Sequence, residues 1–90
     1  MATLQLTILG KVQGVGYRHW FEQQAKALDV KGYVKNCENG QVEAVVVGEL
    51  AHLYRLVQKS MQGPQHAQVK NIEYKILTQE TEFQDFSIRS

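Results

Sequence analysis

The hydrophobic period switches from two residues to 3.6 and back, twice, along the ninety residues, and that order restricts the fold more than any single motif. Between Thr3 and Leu9, Leu4, Leu6 and Ile8 alternate with Thr3, Gln5 and Thr7, the pattern of a half-buried strand. Gly10 to Gly16 follows, with three glycines in seven residues. From Tyr17 to Asp29, the residues Tyr17, Phe21, Ala25 and Leu28 recur at helical spacing. Gly32 restarts the chain, and Tyr33 to Asn36 reads as a short strand. Asn39-Gly40 predicts a two-residue hairpin turn, because both residues tolerate positive φ. Gln41 to Val47, rich in β-branched residues, is the expected returning strand. Leu50, Leu53, Tyr54, Val57 and Met61 then mark the apolar face of a second helix, which Gly63-Pro64 ends. Val69 to Leu77 predicts another strand. Its phase changes near Asn71, from Val69 to Ile72, Tyr74 and Ile76, so a bulge is expected there. Phe86 and Ile88 mark a last short strand.

The order is β-α-β-β-α-β with a short extra C-terminal strand, an α+β, ferredoxin-like sandwich. Right-handed crossovers put both helices on one face of a mainly antiparallel sheet, and the other face is expected to meet solvent. Residues 1–90 are expected to form a single domain, without internal repeats or low-complexity segments.

Ten Lys and Arg against nine Asp and Glu leave a formal charge of +1, which argues against a dedicated nucleic-acid binder. Cys37 is the only cysteine, so no internal disulfide forms, as in a reducing cytosol. One cysteine and the scattered His19, His52 and His66 argue against a structural zinc site. The start of the chain lacks a basic region followed by an apolar stretch, and the longest apolar run, Ala44 to Val47, is too short for a bilayer. A cytoplasmic monomer without metal, cofactor, membrane or nucleic-acid partner is the expectation.

The segment from Gly10 to Arg18 joins the first strand to the first helix. Its glycines let successive N–H groups turn toward one point, and the helix start adds unpaired donors and partial positive charge. Such a turn is an anion cradle, to which Arg18 adds a planar guanidinium that matches phosphate oxygens two at a time. The glycine spacing is not that of a dinucleotide fold, and no Gly-Lys-Ser/Thr ending makes it a nucleotide loop. The loop alone fits a tight connection with Arg18 as a surface charge equally well. Asn36, at a strand end before the hairpin, reads first as a turn-initiating residue; a functional role requires it to face Arg18.

Gly10-Lys11-Val12-Gln13-Gly14-Val15-Gly16-Tyr17-Arg18 resembles the first acylphosphatase signature, and Gly32-Tyr33-Val34-Lys35-Asn36, with Gly40, Val42 and Gly48, resembles the second. Gly63-Pro64, Ala67, Val69 and Phe86-Ser87-Ile88 are similar to the rest of that family, so the resemblance covers nearly the whole chain. It implies hydrolysis of acyl phosphates to a carboxylate and inorganic phosphate, without cofactor. It implies Arg18 as the catalytic, phosphate-binding arginine and Asn36 as the residue that orients the water. The backbone of Gln13, Gly14, Val15, Gly16 and Tyr17 is implied as the phosphate loop. Gly16 stands where many members carry a bulky residue, which should loosen the loop entrance and keep its backbone donor.

Other residues read as structural. His19 is expected to point about 100° around the helix from Arg18, away from the site. His52 and His66 are expected at the surface, and Cys37 as a partly buried thiol without a paired His. Trp20 and the tyrosines read as packing, and Glu22, Glu38 and Glu43 as solvated. Two other classes compete: a non-enzymatic phosphate-binding module of the same fold, and an RNA-binding domain with the same element order. The latter displays aromatic residues on its middle strands, which Leu4 to Leu9 and Val42 to Val47 lack.

Overall fold

The computed structural model of the chain describes residues 1–78 and 82–90. Its elements are β1 (Ala2–Lys11), α1 (Tyr17–Ala27), β2 (Lys31–Asn36), β3 (Val42–Gly48), α2 (Leu50–Gln62), β4 (Gln68–Leu77) and β5 (Phe86–Arg89). The sheet order is β4-β1-β3-β2-β5. Neighbours pair antiparallel except β2 and β5, which are parallel. β1 and β2 therefore run in the same direction on either side of β3, and β3 and β4 on either side of β1. These are the two interleaved βαβ units expected from the period changes.

Alternation decides which side chains go inward. Leu4, Leu6 and Ile8 of β1 and Val42, Ala44 and Val46 of β3 are fully buried with Phe21 and Ala25 of α1 and Leu53 and Leu56 of α2. Each large side chain so buried contributes about 1.5–3 kcal/mol. Tyr17 joins the same core, and its hydroxyl donates to the Ser60 carbonyl at 2.8 Å. Burial pushes its phenol well above the ordinary range, so it stays a neutral donor that ties the start of α1 to α2.

Several elements differ in detail from the sequence expectation. α1 ends at Ala27, not Asp29, because Asp29 takes a left-handed conformation (φ 57°) and the Val30 N–H turns back to the Ala25 carbonyl at 2.9 Å. α2 buries Leu53, Leu56 and Ser60, with Leu50, Tyr54 and Met61 exposed. The apolar arc of this helix is wider than the face that reaches the sheet. Ser60 sits inside because its hydroxyl bonds the Leu56 carbonyl at 2.6 Å. The hairpin is wider than two residues. Gly40 N–H donates to the Cys37 carbonyl, Cys37 N–H to the Gln41 carbonyl, and of Asn39 and Gly40 only the glycine has positive φ. Asn39 instead uses its side-chain oxygen to accept from Gln41 N–H at 3.1 Å.

The expected bulge is present. Leu9 faces Asn71 and Gly10 faces Val69, which leaves Lys70 as the extra residue. The outer sheet face is only partly open. Phe83 meets the Tyr33 ring edge-on at 6.0 Å, and Thr3 and Val45 are buried there.

Candidate active site

Because β1 and β2 both run antiparallel to β3, they end at the same edge of the sheet. Ile8 and Asn36 each face Val42, which puts the two outer strands about 10 Å apart at that row. The loop that follows β1 arches over this gap and α1 starts above it. Between them lies a cleft of about 210 Å³ lined by Gln13, Gly14, Gly16, Arg18, His19 and Asn36, with Val12, Tyr17 and Ile88 as its apolar base and wall. A water occupies roughly 30 Å³ in the liquid, so the cleft has room for a phosphate-sized anion and a water together.

The loop presents backbone donors. Gly14 (φ 74°) and Gly16 (φ 78°) are left-handed, and a Cβ on either would meet nothing within 4 Å. Glycine is needed there for the backbone turn, not for space. Gly16 caps α1 with no side-chain bond to the helix start, and the first turn has no acidic residue. Trp20 N–H is the one that returns to the Gly16 carbonyl, at 3.1 Å. The amides of residues 17–19 lack intrahelical partners and carry the positive end of the helix dipole.

The Gln13 side chain has a role the sequence did not signal. Its Nε2 donates to the carbonyls of Cys37 and Gln41, both at 2.8 Å, and so clasps the loop to the β2–β3 hairpin. Gln13→Ala leaves two part-buried carbonyls without that donor. It is expected to lower unfolding free energy by about 1–3 kcal/mol, read from urea denaturation. A change below a few tenths would mean that the clasp contributes nothing.

Arg18 is half-buried in the first turn of α1. Its Nη1 donates to the Arg89 carbonyl at 3.0 Å, and Arg89 lies in register with Lys35, next to Asn36. The C-terminal strand thus aims the guanidinium while leaving other N–H groups toward the cleft. The Arg89 side chain turns to the other sheet face and stacks 4.0 Å above the Tyr33 ring. Asn36 contributes a buried Oδ1 with no hydrogen-bond partner among the described residues. Such an acceptor costs about 1–3 kcal/mol when left unmet.

Other residues fall into place around this pair. Val15 packs against the edge of the core and does not line the cleft. Tyr17 offers the cleft its backbone, since its hydroxyl is engaged with Ser60. His19 does line the cleft, contrary to expectation, because α1 begins at the cleft mouth and its first turn rings it whatever the azimuth. It is exposed, with Nε2 at 3.5 Å from Gln23 Nε2. His52 is half-buried on α2, not fully at the surface, and His66 is exposed. Cys37 is half-buried. Glu43 is not simply solvated. It accepts from Gln5 at 3.2 Å and Tyr33 at 3.3 Å and pairs with Lys35 at 3.6 Å on the outer face. Glu22 pairs with Lys26 at 3.6 Å. Among the described residues no three His, Cys, Asp or Glu side chains cluster as a metal ion would need, and no helix is long and apolar enough to cross a membrane.

A family model described as acylphosphatase matches residues 4–88. An acylphosphatase of Pasteurella multocida (strain Pm70) is 39% identical over 89 residues, which is 99% of each chain. The crystal structure of acylphosphatase from Bacillus subtilis superposes with a TM-score of 0.97 at 28% identity, covering all of both chains. The structure of an acylphosphatase from Coxiella burnetii superposes at 0.93 and 34% identity, covering 98% of this chain and 92% of that one.

Proposed function

The chain belongs to the acylphosphatase family, and from that premise we propose how its own residues hydrolyse the carboxyl–phosphate bond of small acyl phosphates. The observation that carries the reading is that Arg18, the glycine loop and Asn36 line one cleft. The Asn36 amide in that wall is the group that can hydrogen-bond a water there. The guanidinium and the loop amides around it are donors waiting for a phosphoryl group.

In this reading the amides of residues 13–17 and the Arg18 guanidinium hold the phosphoryl oxygens. Asn36 accepts a hydrogen bond from a water and holds it in line with the leaving oxygen. The water oxygen forms the new P–O bond as the bond to the acyl oxygen breaks. The departing carboxylate has a conjugate acid of pKa about 4–5, so it leaves without a proton and no general acid is required. Charge in a loose transition state spreads over the equatorial oxygens, where each well-placed donor contributes about 3–4 kcal/mol. The water's proton passes late to a phosphate oxygen, so the products are a carboxylate and inorganic phosphate.

A continuous assay tests this directly. Benzoyl phosphate is expected to be hydrolysed at the same rate with and without EDTA. Phenyl phosphate, whose leaving group needs a proton, is expected to be turned over far more slowly. Turnover that stopped in EDTA, or comparable rates on both substrates, would contradict the mechanism. Retained phosphate binding without any turnover would favour a non-enzymatic module.

A further inference from the structure

Phosphoryl and water binding use only part of the cleft wall. Arg18 and the loop amides take the phosphoryl group, and Asn36 takes the water. In-line displacement puts the acyl group on the side of the phosphorus opposite that water, where it meets other side chains. Few are free to meet it. Val12 and Tyr17 are 1% exposed, the Tyr17 hydroxyl is held by Ser60, and the Gln13 amide is held by the carbonyls of Cys37 and Gln41. Gly14 and Gly16 have no side chain, and a Cβ on either would stand in open space. Of the side chains that line the cleft, His19 and Ile88 remain. His19 is exposed, and Ile88 is 37% exposed.

These two side chains differ in chemistry. Ile88 offers aliphatic surface from β5, and His19 offers an imidazole from the first turn of α1. Gln23 Nε2 stands 3.5 Å from His19 Nε2; a donor there makes Nε2 the acceptor and leaves the ring N–H on Nδ1. Charge narrows the choice of partner. Among the described residues none that lines the cleft is an acid, and the first turn of α1 has none either. The uncapped amides there carry the positive end of the helix dipole. A second negative charge on the acyl group therefore meets donors and no carboxylate. Given the roles of Arg18 and Asn36 in the preceding section, on which this rests, we propose that His19 is the specificity-determining residue for the acyl group. With Ile88 it selects acyl phosphates that carry a second carboxylate. Ile88 covers the carbon skeleton, and the His19 N–H donates to the distal carboxylate. Neither side chain takes part in the bond that forms or the bond that breaks.

Values of kcat/KM for 3-carboxybenzoyl phosphate and benzoyl phosphate, each corrected for spontaneous hydrolysis, test the proposal. The rigid ring keeps the second carboxylate from attacking the anhydride. The ratio of the two values within one variant does not depend on how much of that variant is folded. The parent is expected to prefer the carboxylated substrate by about tenfold, the scale of one charge-assisted hydrogen bond. His19→Leu should bring the ratio to about one or below, and His19→Lys, which restores a donor, should bring the preference back. Ile88→Ala should lower both values together and leave the ratio near that of the parent. A parent ratio of one or less overturns the inference, and so does a preference that survives in His19→Leu. In both cases turnover of benzoyl phosphate leaves the roles of Arg18 and Asn36 standing. A parent that hydrolyses neither substrate overturns those roles and this inference together.

Discussion

Replacing Arg18 with alanine is expected to lower kcat for benzoyl phosphate by about 10³–10⁵-fold, the range an arginine at a transferring phosphoryl group supplies. The reason is how the side chain is held. It leaves the first turn of α1, is fixed through Nη1 by the Arg89 carbonyl at 3.0 Å, and lines the cleft beside the uncapped amides of the loop. A guanidinium fixed at one corner presents its remaining donors in a rigid plane. Arg18→Lys keeps the charge but loses that fork, so it should remain severely impaired. Inhibition by inorganic phosphate should weaken in both variants, because the same donors meet the product. Turnover by Arg18→Ala within tenfold of the parent would remove Arg18 from the chemistry.

Asn36→Ala is expected to behave in the opposite manner toward phosphate. Here kcat should fall by about 10²-fold, as for loss of a positioned nucleophile, while the inhibition constant for inorganic phosphate stays nearly unchanged. A second readout separates this role from a structural one. The Asn36 Oδ1 is buried without a partner among the described residues, so its removal should leave the fold neutral to about 1 kcal/mol more stable. A variant that lost stability or phosphate affinity while keeping kcat would place Asn36 in the scaffold. The two substitutions thus split binding from water placement, and each has an outcome the other does not share.

What the sequence made legible was local. Periods of two and 3.6 are written in neighbouring residues, so the order of elements, the bulge by Asn71 and the glycine turn before Arg18 could all be read there. The buried face of α2 could not, because an apolar arc that includes Leu50, Tyr54 and Met61 says nothing about how far the sheet extends beneath it. α2 packs on β3 and β4 through Leu53, Leu56 and Ser60, and Leu50, Tyr54 and Met61 stay exposed. The hairpin at Asn39-Gly40 misled for a related reason: the asparagine satisfies the turn with its side chain instead of positive φ. The supports of the site were invisible for another reason. A backbone carbonyl at Arg89 and the carbonyls at Cys37 and Gln41 have no residue type to signal them, and their positions follow from strand register alone.

The Gln13 clasp has a consequence for the order in which the molecule comes apart. Counted as a cross-link, it closes a ring of chain that runs from the loop through α1 and β2 to Cys37. Nothing in β1 or α1 alone can close that ring; it requires β2 and β3 to have paired and turned already. Its opening is therefore a smaller event than loss of the sheet, and it frees the loop that faces Arg18 and Asn36. In urea, turnover should fade before the far-ultraviolet signal does. The interval between the two is the range in which the chain is still folded and no longer an enzyme.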